Sequence, residues 1–190
     1  MRSSNILLMW LACILVVVGG ASACKKYKDP AKPDIDDGLN GRRYCNNPLA
    51  VNFNWGFPGI PDSTTCIFPV DKFKGTWLFH DSVYTTDEVL QEVITRTLVF
   101  AATEDTLLTH LAVAGWCGGT ERMQVTANKY GLAQVDTLLE YRPGQLICSA
   151  SDTVTGYFQQ YTAAEDTMKV DMVFNTAAGI RFHRGTAVKQ

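Results

Sequence analysis

The sequence predicts an all-β domain: an antiparallel meander of about eight strands that closes as a small barrel, with one short helix. A β-sandwich is the competing architecture. Two observations carry the prediction. From Phe73 onward, apolar and polar residues alternate with a period of two, the signature of half-buried strands. Glycine-, proline- and asparagine-bearing turns interrupt that alternation at short intervals. Strands that follow one another through short turns pair antiparallel, and closing the meander removes its two exposed edges.

Ahead of that domain, the chain opens with Arg2, an unbroken apolar run of 13 residues from Ile6 to Val18, and then Gly19-Gly20-Ala21-Ser22-Ala23-Cys24. A charged start, an apolar middle and small residues before a cleavage point are the parts of an export signal. The stretch resembles a bacterial lipoprotein signal peptide. That resemblance implies removal of residues 1–23, lipid on Cys24 as the first mature residue, and a place at the outer membrane, facing the periplasm or the cell surface. An uncleaved spanning helix is the alternative, since residues 6–24 approach the roughly 20 apolar residues that a span needs. Lys25, Lys26 and Lys28 outweigh Arg2, so such an anchor would leave the globular part in the cytoplasm. The remaining cysteines, Cys45, Cys66, Cys117 and Cys148, form an even set suited to an oxidising compartment.

Residues 24–43 read as a flexible tether, with four lysines, two prolines and several aspartates but too few apolar residues to bury a face. Next, residues 44–69 contain Cys45-Asn46-Asn47-Pro48-Leu49-Ala50-Val51-Asn52-Phe53-Asn54 and close with Cys66-Ile67-Phe68-Pro69. This is similar to a short disulfide-loop module of exported Bacteroidota proteins. A Cys45–Cys66 bond would close it and contribute about 3 kcal/mol. The loop's asparagines and Asp62 suit turns better than calcium, which gathers about 6 to 8 oxygens, several of them carboxylate.

The barrel-like domain is expected over 73–190. Its first strand opens at Gly75-Thr76-Trp77-Leu78-Phe79, with Trp77 and Phe79 on one face. A short helix is expected at 86–93, because Thr85-x-x-Glu88 resembles a capping box and Val89, Leu90, Val93 and Ile94 fit one helical stripe. Strands are expected at 94–101, 106–114, 121–127, 132–141, 146–150, 154–161, 167–175 and 180–188. Met168, Val170, Met172 and Phe174, alternating with Lys169 and Asp171, give the clearest division into a dry and a wet face. Local loop closure predicts Cys117–Cys148 as the second disulfide. Gly75-Thr76-Trp77 at the start, with Arg181 or Arg184 in the last strand, resembles the Gly-x-Trp and terminal Arg of lipocalin-like barrels. The resemblance implies a barrel whose mouth or interior takes a small apolar ligand, with Trp77, Arg181 and Arg184 as candidate ligand-binding residues; Trp116 joins them because a large aromatic beside Gly118-Gly119 can line a barrel mouth.

Chemistry is sparse. The chain contains no nucleophile elbow, phosphate loop or paired His-x-x-x-His. His80, His110 and His183 fall on separate strands, and partly buried, hydrogen-bonded histidines are a simpler reading than a zinc site. No cofactor or metal is expected. A formal net charge of −2 leaves no basic footprint for nucleic acid. The expected function is a lipid-anchored, non-catalytic envelope protein that binds a partner protein or a small apolar ligand; an envelope hydrolase or metal-dependent enzyme is the alternative. Finally, six of 13 aspartates precede Ser or Thr and then Thr or an apolar residue. This resembles the O-glycosylation acceptor pattern of exported Bacteroidota proteins, with Ser63, Thr106, Thr153 and Thr167 as the candidates. Asp-Thr steps also arise wherever a turn meets a strand.

Overall fold

The period-two alternation is realised as long antiparallel strands. The computed structural model describes residues 38, 40–54, 58–104, 108–118, 121–137, 144–161 and 164–190. These belong to one unit, Gly38–Gln190. A small parallel pair, β1 (Arg43–Tyr44) and β2 (Ile60–Pro61), lies in the loop module, followed by a 3-10 turn at Ser63–Thr65 and the helix α1 (Pro69–Phe73). The barrel strands are β3 (Gly75–Tyr84), β4 (Leu90–Ala102), β5 (His110–Ala114), β6 (Met123–Ala127), β7 (Leu132–Val135), β9 (Thr153–Tyr161), β10 (Ala164–Thr176) and β11 (Gly179–Lys189). A two-residue strand, β8 (Gln145–Leu146), flanks β9.

Neighbours pair in the order β3-β4-β5-β6-β7-β9-β10-β11, and β11 returns to β3 from Phe182↔Tyr84 to Lys189↔Trp77. The meander therefore closes as an eight-stranded antiparallel barrel, not a sandwich. Its inward residues form one cluster that includes Trp77, Phe79, Leu98, Phe100, Phe158 and Met172, each 1% exposed or less. Full burial of such a side chain is worth about 1.5–3 kcal/mol. The Phe100 ring meets Phe158 edge-on at 4.9 Å and lies 6.2 Å from Phe73.

Two elements differ from expectation. The short helix is α1, not 86–93. Pro69 starts it, the Asp71 carboxylate accepts from Phe68 N–H at 2.8 Å, and buried Val70 and Phe73 join the core. Residues 85–89 are instead a turn in which Thr85 N–H donates to the Val89 carbonyl and Glu88 has φ of 57°. From Leu90 the chain is β4, paired with β3 through Tyr84↔Leu90 and beyond. Val93, Ile94, Thr95, Thr97 and Val99 are β-branched, and the ladder to β3 overrides the weak helical stripe. The strand expected at 146–150 shrinks to β8 because Cys148 adopts φ of 62° and residues 147–152 form a turn with Ile147 N–H donating to the Asp152 carbonyl. Of the expected strand at 132–141, β7 ends at Val135, and 138–143 lie outside the described residues.

Candidate functional site at the barrel mouth

Alternation along β3 sends Trp77, Phe79, Asp81 and Val83 to the same, inner face. A carboxylate thus enters the core, and Asp81 has no exposed surface. Burying an unpaired charge is costly, so partners are required. Arg96 of β4 donates from Nε to Asp81 Oδ2 at 2.8 Å. His183 of β11 places Nδ1 2.8 Å from the same oxygen. A carboxylate only accepts, which makes Nδ1 the protonated nitrogen of that ring. Asp81 Oδ1 has no hydrogen-bond partner among the described residues.

Trp116 covers this cluster. Its ring lies 5.6 Å from Phe79, 5.2 Å from Phe174 and 5.8 Å from His183, the last edge-on, and the Arg96 guanidinium stands 5.6 Å from its centre. Such a cation-on-ring contact adds about 0.5–2 kcal/mol as it is desolvated. The loop bearing Trp116 is held from both sides. Gly115, at φ of +109°, passes so near Thr97 that a Cβ would lie 2.1 Å from its carbonyl oxygen. On the other side Cys117 is bonded to Cys148. The second expected disulfide, Cys45–Cys66, is also present.

The four candidate ligand-binding residues separate. Trp116 is at the mouth, and Arg181 shares the inward face of β11 with His183, opposite Phe174. Trp77 lies in the barrel floor, where its Nε1 donates to the Phe73 carbonyl at 2.7 Å. Arg184 is on the outer face, donating to Glu88 at 2.7 Å and packing 5.0 Å from the Phe182 ring. Glu88 raises the Arg184 pKa above its ordinary value. The basic residue of the last strand that reaches Trp77 is neither arginine but Lys189, whose Nζ lies 5.4 Å from the ring centre.

The histidines do not converge. His80 is exposed on the outer face of β3, contrary to its expected partial burial; His110 is half-buried, with Nδ1 3.0 Å from the Thr109 hydroxyl. Cys117, Cys148 and Glu121 place their ligand atoms within 4.8 Å of one another, but both sulfurs are committed to the disulfide. In the loop module Asn52 donates to the Thr65 carbonyl and accepts from Ile67 N–H, and Asn47 accepts from Leu49 N–H. These side chains hold turns. Among the candidate acceptors, Ser63 is exposed, Thr167 is half-buried with its hydroxyl 3.1 Å from Asp166 Oδ1, and Thr153 is only 5% exposed. Thr153 gives a glycan little room: it alternates with inward Val154 and lies opposite Asn175, yet it is buried where β8 pairs with the start of β9. Thr106 and Cys24 lie outside the described residues.

Chemically, Asp81 and His183 make an oriented carboxylate–imidazole pair, which is half of a general-base arrangement. Among the described residues no hydroxyl or thiol is hydrogen-bonded to His183. Asp81 and Arg96 were not singled out from the sequence. The available signal was their period: Asp81 continues the Trp77, Phe79 column, and Arg96 the Leu98, Phe100 column.

No family model and no curated protein matches the chain. Among solved structures, a redesigned β barrel is similar, at a TM-score of 0.38 and 14% identity over 64% of this chain and 95% of that one.

Proposed function

We propose that the chain is a lipid-anchored protein of the bacterial envelope, without catalytic activity, whose barrel serves as a rigid platform that binds a partner protein. The observation that carries the choice of partner is the filled interior. Among the described residues, side chains from all eight strands form one buried cluster, and the clefts of about 370 and 340 Å³, large enough by volume for a small ligand, are lined mainly by polar side chains such as Gln134, Asp136, Lys72 and Asp166. The mouth presents the exposed parts of Arg96 and Arg181 around Trp116, which is itself only 8% exposed; arginine is among the residue types that dominate binding energy at protein interfaces.

The Asp81–His183 pair favours the second reading, an envelope hydrolase. It supplies a base, but a hydrolase of this kind also needs a nucleophile placed by that base. The two readings are separated by the response to Trp116→Ala in the full chain. Loss of a co-purifying partner without any change in hydrolysis of ester or amide probes supports the platform; hydrolysis by the wild type that disappears in His183→Ala overturns it.

The anchor has its own test. Cys24→Ser is expected to move the protein from the membrane to the soluble fraction, because two acyl chains supply burial that three lysines cannot replace. Membrane retention of that variant at high salt would reject a lipid on Cys24. Sugar on Ser63 is part of the same proposal, since its exposed turn gives a glycan room. Intact mass of protein from its native host, compared with Ser63→Ala, decides that point.

A further inference from the structure

β4 is paired unequally along its two sides. With β3 it forms a ladder from Tyr84↔Leu90 to Gly75↔Phe100, but with β5 only from Val99↔Ala114 to Ala102↔Leu111. Among the described residues no strand pairs with the second side of 90–98. The loop at Gly115 packs against the Thr97 carbonyl, so the free edge is 90–96. Such an edge presents unpaired N–H and C=O groups to any incoming strand. Its outer face is apolar and open, with Leu90 50% and Val93 65% exposed.

We infer that this edge pairs with the same edge of a second copy of the chain, antiparallel, about a two-fold axis through Ile94. In that register Ile94 faces Ile94, Val93 faces Thr95, and Glu92 faces Arg96, with each opposed pair on one face of the sheet. Charge selects this register. Arg96 uses Nε on Asp81 and keeps 22% of its side chain exposed at the mouth. Glu92 is exposed and makes no ion pair among the described residues. An axis through Glu92 would set carboxylate against carboxylate, and one through Val93 would set Glu92 against Ile94. Pairing about Ile94 also completes the mouth: each barrel receives a carboxylate, Glu92 of the second copy, beside its own Arg96.

The test is sedimentation equilibrium of the full chain in detergent micelles, with native mass spectrometry for stoichiometry. A dimer is expected for the wild type. Glu92→Lys sets a lysine against Arg96 twice in the symmetric pair and should weaken association by about tenfold or more, with the near-ultraviolet circular dichroism of the barrel unchanged because position 92 is exposed. Ile94→Cys should form an intermolecular disulfide that peptide mapping locates at the two-fold. A wild type that stays monomeric at roughly 100 μM, weaker than a specific dimer of this kind, overturns the inference. So does a Glu92→Lys protein of unchanged affinity, or capture of a different protein's strand on this edge in place of a second copy.

Discussion

Asp81 of β3 and His183 of β11 are joined by a 2.8 Å hydrogen bond inside the barrel wall, although the residue directly opposite Asp81 in the ladder is Gly185. The contact is diagonal across two strands, and Arg96 completes it from a third. Two ionisable side chains, Arg96 and His183, thus depend on one carboxylate that has no access to water.

Removing that carboxylate leaves the other two unpaired. Asp81→Ala is expected to lower unfolding free energy by about 3–5 kcal/mol, the cost of an uncompensated buried charge. Asp81→Asn, which keeps an acceptor oxygen of the same shape, should cost less. Urea unfolding measures both, and an Asp81→Ala loss below about 1 kcal/mol would show that the cluster is not a closed network.

Gly185 brings β11 close to β3. A Cβ at this position would lie 1.9 Å from the His80 carbonyl oxygen, a backbone atom that cannot turn aside. Gly185→Ala should destabilise by about 2–3 kcal/mol through overpacking and strand displacement. The readout is the melting temperature together with loss of amide protection along β3 and β11; an unchanged melt contradicts the close approach.

Cys117 and Cys148 are 31 residues apart, and their bond holds the loop that seats Trp116. The double variant Cys117→Ala, Cys148→Ala is expected to lose about 3–4 kcal/mol. It should also red-shift indole fluorescence as Trp116 leaves its contacts with Phe79 and Phe174. Stability loss without any change at the indole would mean that the ring is held by packing alone.

Asp62 offers a pH-dependent local element. Its pKa is lowered to about 2 by the Thr64 hydroxyl first, then by Arg43 and the Thr64 N–H, from an ordinary 3.8. The folded value lies below the unfolded one, so this contribution is present above pH 3.8 and is lost as pH falls through about 2. Carboxyl-detected NMR titration should give a midpoint near 2 in the wild type and a higher one in Thr64→Val. A wild-type midpoint at the ordinary value would remove these contacts from the turn.

Strand order was largely legible because alternation is local: Met168, Val170, Met172 and Phe174 announce an inward face without any knowledge of what lies opposite. The helix expected at 86–93 shows the limit of the same method. Thr85 and Glu88 satisfy a local capping pattern, yet ten residues of β3 were available to pair with the segment, and that contact is not written within it. Which basic residue of the last strand meets Trp77 is not legible in the sequence: Arg181, Arg184 and Lys189 all lie in β11, and the barrel's register brings Lys189 to that ring.

The sequence by itself determined the all-β class, the meander and both disulfide pairings, because period, turn residues and short loop closures are properties of neighbouring positions. Tertiary structure alone decided that Asp81, Arg96 and His183 meet, that Trp116 covers them, and that among the described residues no strand pairs with the second side of 90–96. Asp81 and His183 are 102 positions apart. Their contact exists only once the last strand pairs with the first, since barrel closure turns two separate alternating faces into one interior.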